Sequence, residues 1–147
     1  MKALVSYLRL PVAEQGTTLW VIVVAAAVEY MIRRWPLPCV TRMLGVLWVD
    51  DRAVDRRGGA KQLSARDHRV VRCTRRVMRR WPFCEGTCLR QSLIVGFALR
   101  RHGPRLRLGV ARSGGAFGAH AWLDVCDASI GASAGFHSLH ASTRSAA

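Results

Sequence analysis

The sequence predicts an α+β protein in which a helix packs on a small antiparallel sheet, preceded by N-terminal helices. Three observations predict it. Apolar residues recur at helical spacing in several segments before Gly103; strict alternation replaces that spacing from Leu106 to Cys126; and glycine or proline stands where the pattern changes. A chain of 147 residues suffices for one compact unit with a modest core and a single active site. Within that unit, residues 1–60 read as an N-terminal helical region and residues 61–147 as the core carrying the sheet.

Residues 1 to 12 read as a partly ordered lead-in. Gly16, Thr17 and Thr18 offer a cap for a helix running to about Arg34, where Trp35 and Pro36 close it. Its run from Leu19 to Val28 is apolar without a break and extends past Glu29 to Ile32. A bilayer span needs about 20 apolar residues. The shorter run here, interrupted by Glu29 and ended by Arg33 and Arg34, reads as a helix buried on most sides, with a membrane-surface contact as the alternative.

A second helix follows, with Pro38 at a first helical position, a face of Leu37, Val40, Met43 and Leu44, and Gly45 as a left-handed stop. Asp50 to Ala60 is polar, contains Gly58 and Gly59, and reads as a surface loop. From Ser64, a plausible cap, Val70, Thr74, Val77, Met78 and Trp81 are spaced for one buried face. Seven arginines, at positions 66, 69, 72, 75, 76, 79 and 80, fall largely elsewhere on that helix. They form either a solvated face or a docking surface for an acidic partner.

Pro82 ends that helix, and the next begins near Cys88. Ser92 and Gly96 are small enough for close packing on a sheet, and His102, Gly103 and Pro104 stop the helix. Leu106, Leu108 and Val110 then alternate with Arg105, Arg107 and Gly109. Ser113 to Gly115 makes a turn, and Phe117 to Cys126 returns with Ala119, Ala121, Leu123 and Val125 on one side and His120, Trp122, Asp124 and Cys126 on the other. Phe136 to Leu139 suits a further short strand, and Ala141 to Ala147 a frayed end.

The chain carries 23 Lys and Arg against 9 Asp and Glu, a formal charge of +14. A surface so basic attracts acidic partners, whether nucleic acid, anionic lipid or peptide. Half of the residues are hydrophobic, which separates the chain from disordered basic tails. Five cysteines without repeated spacing argue against a secreted disulfide framework, and the opening residues lack the pattern of a signal peptide, so a reducing cytoplasmic setting is expected.

Cys88 is the residue on which the functional reading turns. A thiol in the first turn of a helix meets unpaired amides and the positive end of the macrodipole, which favour the nucleophilic thiolate. The Cys88 amide could also donate to an oxyanion. His120, flanked by small Ala119 and Ala121, lies in a strand able to pair behind that helix and suits a Cys/His dyad. Asp124 stands about 13 Å along the same strand at ordinary rise and cannot orient His120 directly, whereas Asp127 could swing back from the strand end. Cys84, Cys88, His120 and Cys126 lack the second ligand pair of a typical zinc site, and no metal or other cofactor is expected.

These residues resemble a known family. The segment from Cys88 to Leu93, then Leu-Arg-Arg-His-Gly103, Leu-Arg-Leu-Gly-Val110-Ala and Ala119-His-Ala-Trp122-Leu, is similar to the transglutaminase-like domain of lasso-peptide biosynthesis B proteins. The upstream Arg33-Arg-Trp-Pro-Leu-Pro and Thr41-Arg-Met-Leu-Gly45 resemble the stand-alone peptidase form, so the likeness spans about residues 17 to 127. It implies a papain-like cysteine protease core in which Cys88 is the nucleophile and His120 the base, removing the leader from a lasso-peptide precursor. It also implies a separate leader-recognition protein and an ATP-dependent lasso cyclase as partners, a split arrangement consistent with the length of this chain. The family's aspartate, eleven or twelve residues after the histidine, falls on Ser129-Ile-Gly-Ala132, where there is no carboxylate. A backbone carbonyl or Asp127 is then left to orient His120, or activity is weakened.

Three other readings compete with leader removal. Amide transfer or deamidation would share the dyad. A nucleic-acid-binding protein would use the charge but leave Cys88 and His120 unexplained, and a scaffold would keep the fold without catalysis.

Overall fold

The computed structural model describes residues 11–48, 62–82, 87–113, 116–126, 128–131 and 137–138. The expected lead-in before residue 11, the loop from Asp50 to Ala60, Cys84, the glycines of the hairpin turn, Asp127 and the C-terminal tail lie outside them.

Helix α1 spans Val12–Arg34 and begins earlier than its threonines suggest. Pro11 occupies the N-cap with φ −54° and ψ 142°, a position where its missing amide costs nothing, and Gly16 lies inside the helix. Thr17 Oγ1 donates to the Ala13 carbonyl four residues back, at 2.8 Å, instead of capping. Trp35, extended at φ −130°, ends the helix before Pro36 as the sequence requires.

The helix is not buried on most sides. Thr18, Val21, Val24, Ala25, Val28 and Glu29 form one covered face, while Leu19, Val23 and Tyr30 stay exposed. At 23 residues, with mean hydropathy 1.4 over its most apolar window, it is long and apolar enough to cross a membrane by length and composition, criteria that a core helix also meets.

Helix α2 spans Leu37–Leu44 and stops at Gly45, whose φ of 67° is the left-handed conformation a side chain would resist. Thr41 is buried with Val40 and Leu44, whereas Met43 is exposed, so the inner face is turned by about half a helical step from the expected one. Strand β1, Leu47–Trp48, follows. Helix α3 spans Ala65–Met78 behind a capping box: Ser64 Oγ accepts from the Asp67 amide at 3.2 Å, and the Asp67 carboxylate accepts from the Ser64 amide at 2.8 Å. Its covered side centres on Val71, Cys73, Thr74 and Met78, with Val70, Val77 and Trp81 half-buried. The stripe is rotated because α3 packs against both α1 and the next helix.

Helix α4 spans Thr87–Ala98, and a short 3₁₀ turn at Arg100–His102 ends at left-handed Gly103. Strands β2 (Arg105–Ser113) and β3 (Ala116–Val125) pair antiparallel with Leu106 opposite Leu123 and Gly109 opposite His120. Two short strands complete the sheet: β4 (Ala128–Ile130) on β3, and β5 (His137–Ser138) on β2. Because β1 pairs parallel to β2, the sheet is mixed and not wholly antiparallel. Two residues of β1 leave too little sequence to show alternation.

Helix α4 lies between the other helices and the sheet. Leu93, Ile94 and Val95 are fully buried in it, and one hydrophobic cluster joins Val21 and Val28 of α1 and Val40 of α2 to Leu106, Leu123 and Val125 of the sheet. Gly96 permits the closest approach: a Cβ there would come within 2.7 Å of Val46 Cγ2 and 3.4 Å of Leu123 Cδ1. The expectation that Ser92 and Gly96 seat the helix on the sheet therefore holds.

Candidate active site

Cys88 is the second residue of α4, half-buried and packed against the hydrophobic cluster. The first four amides of a helix have no acceptor within it, so the amides from Thr87 to Arg90 present a donor-rich, electropositive end beside this thiol. Cys39, Cys73, Cys88 and Cys126 are free thiols.

Two contacts fix how α4 runs over β3. Ser92 Oγ donates to the Ala121 carbonyl at 3.3 Å, and Gly96 sits over Leu123. Four helical residues rise about 6 Å and two strand residues about 7 Å, so helix and strand run in step. One turn before Ser92, Cys88 falls at the level of Ala119 and His120. Along the strand, the two residues that the sequence singles out are thereby brought to the same end of the sheet.

Across the sheet the placement is more specific. Ala121, Leu123 and Val125 are buried on the face covered by α4, so His120, Trp122 and Asp124 belong to the alternate set of side chains. Ala119, although on the helix-facing set, is exposed, and the covered layer stops at Ala121. His120 thus leaves the strand on the face opposite the one that α4 covers, and beyond Ala121 this end of the sheet lies outside the packed aliphatic layer.

The His120 ring is held. Its Nε2 lies 2.6 Å from the Gly131 carbonyl oxygen, and its plane stacks on Trp122 with centroids 6.2 Å apart at 21°. A carbonyl only accepts, so Nε2 carries the proton and Nδ1 is the basic nitrogen of the neutral ring. Gly131 stands eleven residues after His120, and a backbone oxygen occupies the position where the sequence lacks a carboxylate. Its φ of 86° aims that carbonyl in a conformation natural to glycine.

Asp124 is committed elsewhere, to Arg107 Nε and Ser129 Oγ, each at 2.5 Å. Asp127 lies outside the described residues. Among the described residues no group of three or more His, Cys, Asp or Glu side chains could hold a metal.

One feature of the site is invisible to motif reading. Glu29, in the apolar helix α1, is only 6% exposed and accepts from Arg90 Nε at 2.5 Å, Arg90 Nη2 at 3.2 Å and Arg33 Nε at 2.8 Å. Arg90 is two residues past Cys88, so this fork ties the start of α4 to α1. The Arg90 hydrogen bond, with Arg33 assisting, outweighs burial and holds the Glu29 carboxyl down at about 2. A lone acid inside an apolar run was the available signal.

A family model described as the transglutaminase-like superfamily matches residues 31–142, well over half of the chain, and includes Cys88, His120 and Gly131. No curated protein and no solved structure matches it.

Proposed function

Because this chain belongs to the transglutaminase-like superfamily, we propose that it is a cysteine peptidase that removes the leader from a lasso-peptide precursor in the cytoplasm. The peptidase reading is supported by the superfamily match across Cys88 and His120 and by the anchoring of His120 Nε2 on the Gly131 carbonyl. The finer identity rests on the likeness of the Cys88-Leu-Arg and Ala119-His-Ala-Trp122 motifs, in their order and spacing, to stand-alone leader peptidases.

In this mechanism the Cys88 sulfur, as thiolate, attacks the carbonyl carbon of the leader-core amide, and the helix-start amides stabilise the oxyanion. Imidazolium at His120 gives its Nδ1 proton to the departing amine as the C–N bond breaks. Water then adds to the thioester, its proton returning to His120, and the leader leaves as a carboxylic acid. The Gly131 carbonyl keeps the reactive tautomer but brings no negative charge to the imidazolium, so a lower rate than a carboxylate triad is expected. A separate leader-recognition protein would present the precursor, and an ATP-dependent cyclase would use the freed amine.

The test is incubation of the precursor with this chain and the recognition protein, followed by mass spectrometry of the fragments. Cys88→Ala should abolish leader removal, and His120→Ala should slow it by about a hundredfold or more. Equal cleavage by the Cys88→Ala chain would overturn the assignment.

A further inference from the structure

The arginines of α3 do not all face open solvent. Arg72, Arg75, Arg76 and Arg79, spaced at i, i+3, i+4 and i+7, line a cavity of about 450 Å³ whose other wall includes Thr87 and Gln91 of α4. Thr87 immediately precedes Cys88, and Gln91 is less than one helical turn beyond it.

These charges are not balanced within the described structure. Arg76 pairs with Glu14 at 3.0 Å, but the remaining described carboxylates are engaged away from the cavity: Glu29 with Arg33 and Arg90, Asp67 with Ser64, and Asp124 with Arg107. Among the described residues Arg72, Arg75 and Arg79 have no acidic partner. Concentrated like charge disfavours the empty state and rewards an anionic occupant. A guanidinium presents a planar fork that fits a carboxylate, and several around one cavity give selectivity that scattered surface charge does not.

Two features distinguish a peptide carboxylate from a nucleic acid. Among the described residues no aromatic side chain lines the cavity, so they offer no stacking surface of the kind that single-stranded nucleic acid uses. The cavity also includes Thr87 and Gln91, one residue before and three after Cys88 in α4, so a bound chain would lie near the start of that helix. We propose that this cavity is a subsite for a Glu or Asp side chain of the peptide substrate, within about three residues of the scissile bond at extended-chain spacing. The substrate identity rests on the peptidase reading above; the acidic-peptide preference of the cavity does not.

The test measures binding without cleavage. Full-length Cys88→Ala protein is titrated, by fluorescence anisotropy, with a labelled peptide of alternating glycine and glutamate, its glutamine counterpart and oligothymidine. Glutamine in place of glutamate should weaken binding about tenfold, and the double variant Arg75→Gln/Arg79→Gln should lose about the same. Arg42→Gln/Arg101→Gln removes equal charge from exposed sites elsewhere and should change affinity less than about twofold. Equal losses in the two double variants would overturn the subsite, as would oligothymidine binding more tightly than the acidic peptide through Arg75 and Arg79. A wild-type chain that binds the acidic peptide with this pattern yet leaves the precursor uncut would overturn the peptidase reading alone.

Discussion

Replacing Glu29 with glutamine removes the charge that joins α1 to the start of α4 while keeping the side chain's size. The carboxyl sits near 2 in the folded protein against an ordinary 4.5. Fewer protons are therefore bound to the folded than to the unfolded chain between these values, and folding gains stability that is complete above about pH 4.5 and lost as pH falls towards about 2. The full shift corresponds to about 3 kcal/mol; the exposed side of the cluster at Arg33 and solvent screening reduce this to about 2 kcal/mol. The half-buried Arg90 would also lose its counter-charge, which acts in the same direction. Urea unfolding followed by tryptophan fluorescence should show Glu29→Gln less stable by about 2 kcal/mol near neutrality, the gap narrowing steadily in acid. Equal stability near neutrality, or a gap unchanged into strong acid, would refute the reasoning.

Gly96→Ala should destabilise the fold by about 1 to 3 kcal/mol, read from the urea midpoint, because the new methyl meets the stiff branch of Val46 in the contact between α4 and the sheet. Gly131→Ala should cost about 1 kcal/mol in stability, since φ of 86° opposes a side chain, and should lower kcat by about tenfold by re-aiming the carbonyl that holds His120. Activity unchanged in folded Gly131→Ala would remove that carbonyl from the mechanism.

The readable parts of this fold are those where local rules and burial agree. Alternation from Leu106 to Val125 yielded the hairpin because one face is covered and a slip of one residue would expose Leu123. Ser64 announced α3 through a cap that needs only Asp67 three residues on. Helix α1 started earlier than its threonines suggest because packing of its covered face, and not a side-chain cap, sustains it. Strands β1 and β4 carry too few residues for periodicity, and β1 depends on a parallel partner far away in the chain.

At the site, Cys88 and His120 stood out by residue type and context. Their placement at one end of the sheet required Ser92 and Gly96 to set the course of the helix. The group on His120 was legible only as a missing carboxylate, because a backbone oxygen leaves no mark in residue identity. The Arg90 fork and the arginine-lined cavity depend on contacts between helices that sequence order does not reveal.

The central claim is that the His120 imidazole serves the Cys88 sulfur. It is tested most directly by the rate of iodoacetamide alkylation at Cys88, measured by peptide mass spectrometry near neutrality, in the natural chain and in His120→Ala, with exposed Cys39 as the internal reference. The account predicts that losing the imidazole slows alkylation of Cys88 by about tenfold or more and leaves Cys39 unchanged. Alkylation of Cys88 at the same rate in both proteins would contradict it.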